Sequence, residues 1–372
     1  RMWHSSFQYS RGLSSRHLVL GLAVVATLGC DTESVAPAAP GFLGGTESDH
    51  EIGVVVNSLG KSLTLFQLGS PTTQRQIPLG TSSTITPIGF SLRGRRAAVP
   101  LGNAASVALI NLETGAILRY FTFASGNATG SAFADDTTLL AANPTLGSIG
   151  RALVGQTSDA IVTSVLVAPQ PTAIAIIGSR ALIVSANLDE NFTPIGNGIV
   201  TALDPKTMRV LGTVETGGTN SSDATVGPDG LLYVLNTGDY VGEGNLTIVN
   251  PITMQVVTTV EHMGVGPGAI SIDANGLAYI SGVFSGTLVW NTRNRLFVRG
   301  TDNPVCAKLP NGTCRGAFAA TTSASGNLYQ LFFGSPSQSL AAYAFVYRAG
   351  TFALTDSIAV GSGPAAIAVR RF

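Results

Sequence analysis

From residue 52 onward, hydrophobic positions come in short runs of four to seven, each closed by Gly, Pro, Asn or Asp. The runs favour Val, Ile, Thr and aromatic residues and are too short to form one face of a helix. They predict strands joined by tight turns. The pattern also repeats. Residues 224–266 contain ATVGPDG, LLYVLN, NLTIVN and QVVTTV in that order, and residues 269–300 and 172–218 carry the same succession. Each copy therefore holds four strands, denoted A to D.

The B strand is the easiest to follow through the chain. It recurs at residues 52–57, 96–102, 138–143, 180–187, 231–236, 277–282 and 327–333. Asn57, Asn143, Asn187 and Asn236 mark its end, at spacings of 86, 44 and 49 positions. About 40–50 residues for four strands is the repeat of a β-propeller blade. Seven B strands give seven blades over residues 52–372. The ends are out of phase in an informative way. The domain begins on a B strand and finishes on a lone A strand, GPAAIAVRRF at 363–372. Pairing the two removes two open edges. The fold expected is an all-β, seven-bladed propeller of four-stranded antiparallel blades. Residues 365–369 should form the innermost strand of the first blade and close the ring.

Composition agrees with this reading and narrows the partners. Of 372 residues, 44 are Gly and 18 Pro, only 11% are charged and 45% are hydrophobic, which argues against both disorder and a helical bundle. Formal charge is zero overall, and the first acid follows Cys30, so residues 30–372 hold 18 basic against 21 acidic side chains. Such a surface offers no electrostatic reason to bind nucleic acid.

The N-terminal region reads as an address. Arg11, Arg16 and His17 precede an apolar run over residues 18–29, too short to span a bilayer but suited to a signal peptide. Residues 1–29 are assigned to that signal, with 1–10 as possible upstream sequence because Arg1 precedes Met2. Residues 30–51, rich in Pro, Gly, Ala and Ser, read as a flexible tether. Gly29-Cys30 at the end of the apolar run resembles the lipobox of bacterial lipoproteins, although Thr27 and Leu28 stand where the commonest form has Leu and a small residue. The resemblance implies lipidation of Cys30 and an exported protein, periplasmic or on the cell surface, held at the membrane by its lipid alone. The alternative is an ordinary signal peptide cut slightly later. Cys306 and Cys314 flank a Pro-rich loop and are expected to form a disulfide. A two-thiolate metal site competes, but no His or further Cys lies nearby to complete it.

Gly266-Pro267-Gly268-Ala269-Ile270, Pro228-Asp229-Gly230, Leu232-Tyr233-Val234-Leu235-Asn236 and Asp204-Pro205-Lys206-Thr207 together resemble the YVTN-type family of bacterial β-propeller repeats. The match is dense over residues 170–282 and thin elsewhere. That motif is structural and implies a propeller without implying a reaction. Pro228-Asp229-Gly230 suits a tight A–B turn, and Asp204 and Asn250 suit bonds to the C–D hairpin backbone. The recurring Asn residues are expected to make structural bonds between neighbouring blades rather than a ring of ligands.

Catalytic equipment is sparse. HExxH, GxSxG and Walker motifs are absent, and only His50 and His262 follow residue 30. The A strands, which line a propeller's channel, contain no Glu and no His, and no catalytic residue is singled out. Loop length favours one face. A–B and C–D turns share one rim and are mostly short. The opposite rim carries the long B–C segments 187–198 and 236–245, and the long D–A segments 217–223 and 306–314. Asp189, Glu190, Asp239, Tyr240 and Glu243 stand on these B–C loops in adjacent blades. Tyr offers rigid contact area with a polar tip, and the acids suit a basic partner patch or Ca²⁺. A merely solvated acidic rim is the bland alternative. The sequence thus points to a membrane-tethered, non-enzymatic binding or scaffold protein whose partner is a protein, glycan or cell-wall component, with no resident cofactor. A lactonase-like hydrolase or lyase using a divalent cation, and a surface-layer or matrix component, are the alternatives.

Overall fold

The computed structural model describes residues 41–44, 50–335 and 340–372. Cys30, the signal segment and most of the tether lie outside the described residues. Seven separate four-stranded antiparallel sheets follow one another along the chain. Their B strands are Glu51–Asn57, Arg96–Pro100, Thr138–Asn143, Arg180–Ser185, Leu232–Asn236, Leu277–Gly282 and Leu328–Phe332. The innermost A strands of blades two to seven are Ser91–Arg93, Gly130–Phe133, Pro171–Ile177, Ser221–Val226, Pro267–Ile272 and Ala320–Thr322. The first blade takes its A strand from the other end of the chain. Pro364–Arg371 lies antiparallel to Glu51–Asn57, with Glu51 opposite Arg371, Val55 opposite Ile367 and Val56 opposite Ala366. The seven-bladed ring is closed as the phase of its ends requires.

Burial follows position in the blade. B and C strands are covered on both faces by neighbouring blades, so they read as continuous apolar runs, for example Leu63–Phe66 and Leu182–Val184. D strands form the outer wall, and Leu118, Val256, Leu296 and Leu354 are exposed there. The core lies between blades. Tyr233 of blade five meets Trp290 of blade six edge-on, with centroids 6.5 Å apart. Leu235, Ile248, Met263 and Ile280 pack around the pair.

The C–D turns show how a local sequence rule is reused. Asn111, Asp204, Asn250 and Asn291 each accept two backbone N–H bonds from the residues two and three positions on, at 2.8–3.3 Å. The residue four positions on is left-handed in every case: Gly115, Met208, Met254 and Arg295. Only blade two has glycine there. Arg295 is exposed with φ 59°, a conformation that costs a side-chain-bearing residue roughly 1 kcal/mol or more. Arg295→Gly is therefore expected to stabilise the protein by about 0.5 kcal/mol in urea unfolding, after the entropy of glycine is subtracted. A destabilised variant would show that the Arg295 side chain contributes more than its backbone costs.

Two sequence expectations change. The strand-end asparagines bond within their own blade and to the connector entering it, not across to a neighbouring blade. Asn57 donates to Ser62 and Thr64 (3.1 and 2.8 Å), Asn143 to the Ser125 carbonyl (2.9 Å), and Asn236 to Asn245 and Thr247 (2.7 and 2.9 Å). Asn187 lies two residues past this position, which Ser185 occupies in blade four. The segment read as a tether also contains a seated stretch. Leu43 is fully buried in the core of the first two blades, a cluster that includes Ile52, Leu65 and Leu112. Arg75 covers the Phe42 ring at 4.9 Å, Gln67 donates to the Phe42 carbonyl (3.1 Å) and Arg95 to that of Gly44 (3.0 Å). Gly41 passes so close to the Glu113 carboxylate that a Cβ would have no room. The expected disulfide is present, with Cys306 and Cys314 Cα atoms 5.5 Å apart in the D–A connector from blade six to blade seven.

Candidate functional site: the loop rim and the channel mouth

The long B–C loops of blades four and five are held by their own acids. Asp189 accepts N–H bonds from Asn191 and Thr193, both 2.9 Å. Asp239 accepts from Val241 and Gly242 at 2.9 and 2.8 Å. These bonds favour the charged form and hold the Asp239 carboxyl below the usual range. Glu243 Oε2 meets His262 Nδ1 at 2.6 Å, linking the blade-five loop to the following D–A connector. Glu190 is exposed. Asp189 and Asp239 thus bond their own loops, and among the described residues no three His, Cys, Asp or Glu side chains are grouped to hold a metal ion. Tyr240 is brought to something different. It is left-handed (φ 63°) and, with Phe284 of blade six, flanks Gly266, both rings lying about 3 Å from where a Cβ would stand.

That arrangement leaves apolar tips in solvent. Phe192 and Ile195 on blade four are 71% and 60% exposed, Tyr240 and Val241 on blade five 56% and 83%, and Phe284 on blade six 63%. Leu59 and Leu146 add two more on the same rim. The C–D connections expose large hydrophobic residues at separate places, Leu153 and Val162 on blade three and Ile252 on blade five. Sequence reasoning chose this face by loop length and its acids. The apolar tips were equally readable but were passed over.

The same rim opens into the central channel. A cavity of about 480 Å³ there is lined by residues at or just before the start of all seven A strands. At one register level these strands place Gly89, Gly130, Ala173, Asp223, Ala269, Ala319 and Ala366. The registers agree: Asp223 faces Leu235 as Ala173 faces Val184, Ala269 faces Ser281 and Ala366 faces Val56. Six blades place no more than a methyl group at this level, and blade five places a carboxylate. Asp223 accepts the N–H of Ala224 on Oδ1 (2.8 Å) and that of Ile270, on the next blade, on Oδ2 (2.9 Å). Burial outweighs these bonds and pushes its carboxyl up to about 6. The sequence reading set this residue at the junction of the 217–223 loop and strand A and did not single it out. In the structure strand A already begins at Ser221. Aligning the A strands column by column would have exposed it.

No family model matches the chain, and no curated protein is similar to it. Among solved structures, a chain of Kuenenia stuttgartiensis hydrazine synthase is similar, with 11% identity, a TM-score of 0.59, and coverage of 79% of this chain and 97% of that one. At such identity the similarity shows the fold, a seven-bladed β-propeller. That fold is compatible with binding, scaffold and enzymatic roles alike.

Proposed function

We propose that this protein is a non-enzymatic binding or scaffold protein of the bacterial cell envelope, tethered through Cys30, whose B–C and D–A rim docks a protein, glycan or cell-wall component. The observation that carries the reading is the concentration of exposed apolar tips on one rim, across three consecutive blades. Large exposed hydrophobic side chains on neighbouring loops mark interaction surfaces. Here the loops that bear them are stiffened by Asp189 and Asp239, which lowers the ordering cost of binding. The YVTN-type resemblance fits an extracytoplasmic setting. The carboxylates of Asp189, Glu190, Asp239 and Glu243 add a rim suited to a basic patch on the partner.

The test uses Phe192→Ser, Tyr240→Ser, Val241→Ser and Phe284→Ser combined. The variant should unfold within about 2 kcal/mol of wild type, because each side chain is already exposed. It should lose at least ten-fold in binding to purified cell-envelope fractions. Undiminished binding rejects this rim as the docking surface. The tether is read separately: Cys30→Ala should no longer partition into detergent, and a wild-type N-terminus processed downstream of Cys30 would remove the anchor.

A further inference from the structure

We propose that the channel mouth is a binding site for a small organic ammonium ion, with the Asp223 carboxylate as its counter-charge. Six of the seven blades build the same strand with Gly or Ala at this position, so the fold itself does not require an acid there. The acid is also costly to place. Among the described residues no Lys, Arg or His lines the cavity to compensate it, and burial favours its neutral form. A single charged group that breaks the symmetry of a repeat, at the level where all seven strands converge, is accounted for by a ligand bearing the opposite charge.

The chemistry of the wall selects the ligand class. The two backbone N–H bonds fix the carboxylate and use one acceptor site on each oxygen, so each keeps a further lone pair. Ser131, Thr172 and Ser271 donate their hydroxyl hydrogens to the carbonyls of Ala98, Ser221 and Ala320 at 3.0, 3.0 and 2.8 Å. With their hydrogens so engaged, these hydroxyls keep only acceptor capacity, that of Ser131 shared in part with Ser91 at 3.1 Å. A head group that only donates hydrogen bonds and carries positive charge matches such a lining. Apart from Thr129 and Ser222, the remaining wall is Gly, Ala, Ile, Val and Phe, which suits a short apolar chain, and about 480 Å³ is a volume in the range of small-molecule sites. A divalent metal is a poorer match, since among the described residues no second acidic side chain lines the cavity.

The experiment titrates the full chain with n-butylammonium chloride, and with 1-butanol as a neutral control, using calorimetry and ligand-observed NMR. Wild type should bind butylammonium at pH 7.5 at least ten-fold more tightly than butanol. Asp223→Ala, which installs the residue found in four sister blades, should fold and lose that preference. Asp223→Asn keeps the size, removes the charge and should do the same. Among the described residues Asp223 is the only titratable side chain lining the cavity, and protonation as pH falls through about 6 removes its charge, so wild type at pH 5 should bind at least five-fold more weakly. Equal binding of butylammonium by wild type and both variants, or no binding by wild type, overturns the proposal. The site stands apart from the loop tips: the four-serine variant should keep its butylammonium affinity, so failure of either reading leaves the other to be judged alone.

Discussion

A chain ending at residue 362 is expected to lose cooperative folding and to aggregate. The missing Pro364–Arg371 strand is hydrogen-bonded along the whole of Glu51–Asn57, whose residues 52–57 are all buried. Gly363 and Ser362 also accept N–H bonds from Ser58 and Gly60 (2.7 and 2.8 Å), fastening the last connector to the first blade. Without the strand, the inner edge of the first blade is bare. Val55 and Phe66 lose the cover of Ile367 and Val369 in the core shared with the last blade. An unpaired, apolar edge is a template for intermolecular pairing. A solenoid can shed a terminal strand and shorten, whereas a ring that shares its closing sheet between both chain ends loses its continuity. Thermal melts by circular dichroism with parallel light scattering decide the matter. A truncated chain that melts like the full one would mean that closure contributes little.

Trp290→Ala should be the most damaging single substitution in the core. The side chain is fully buried on strand C of blade six and wedges between that blade and blade five through Tyr233. Truncation leaves a cavity that two rigid sheets cannot collapse, and the expected cost is about 3–5 kcal/mol in urea unfolding. Trp290→Phe should recover more than half of that loss. The indole N–H is buried without a hydrogen-bond partner, so the phenyl ring removes a desolvation cost along with the volume. A Trp290→Ala variant within about 1 kcal/mol of wild type would show that the interface between these blades repacks freely.

The ring was legible because its information is local and repeated. Each B strand is a continuous apolar run, since blades cover both its faces, and each turn bears its own Gly, Asn or Asp. The phase difference between Glu51–Asn57 and Pro364–Arg371 revealed the closure, because an unpaired edge is intolerable in a stable sheet. What escaped notice depends on tertiary placement. Phe42 and Leu43 are two apolar residues in a background of Pro, Gly and Ala, and only the groove between blades one and two gives them a place to bury. Asp223 looks like ordinary loop polarity until its six counterparts are set beside it. The Asp189 and Asp239 carboxylates look alike as ligands or as loop staples in one dimension, and their backbone partners become visible only once the loops are folded.

The seating of residues 41–44 also gives the molecule a back and a front. Its partners, Gln67, Arg75, Arg95 and Glu113, stand at the C–D and A–B ends of the first two blades, opposite the apolar tips and the mouth of the channel. The described chain thus enters the ring at the short-turn rim, while the long loops and the Asp223 cavity stand at the other. A partner seated on the long loops, or a cation in the channel mouth, would therefore not compete with residues 41–44 for space.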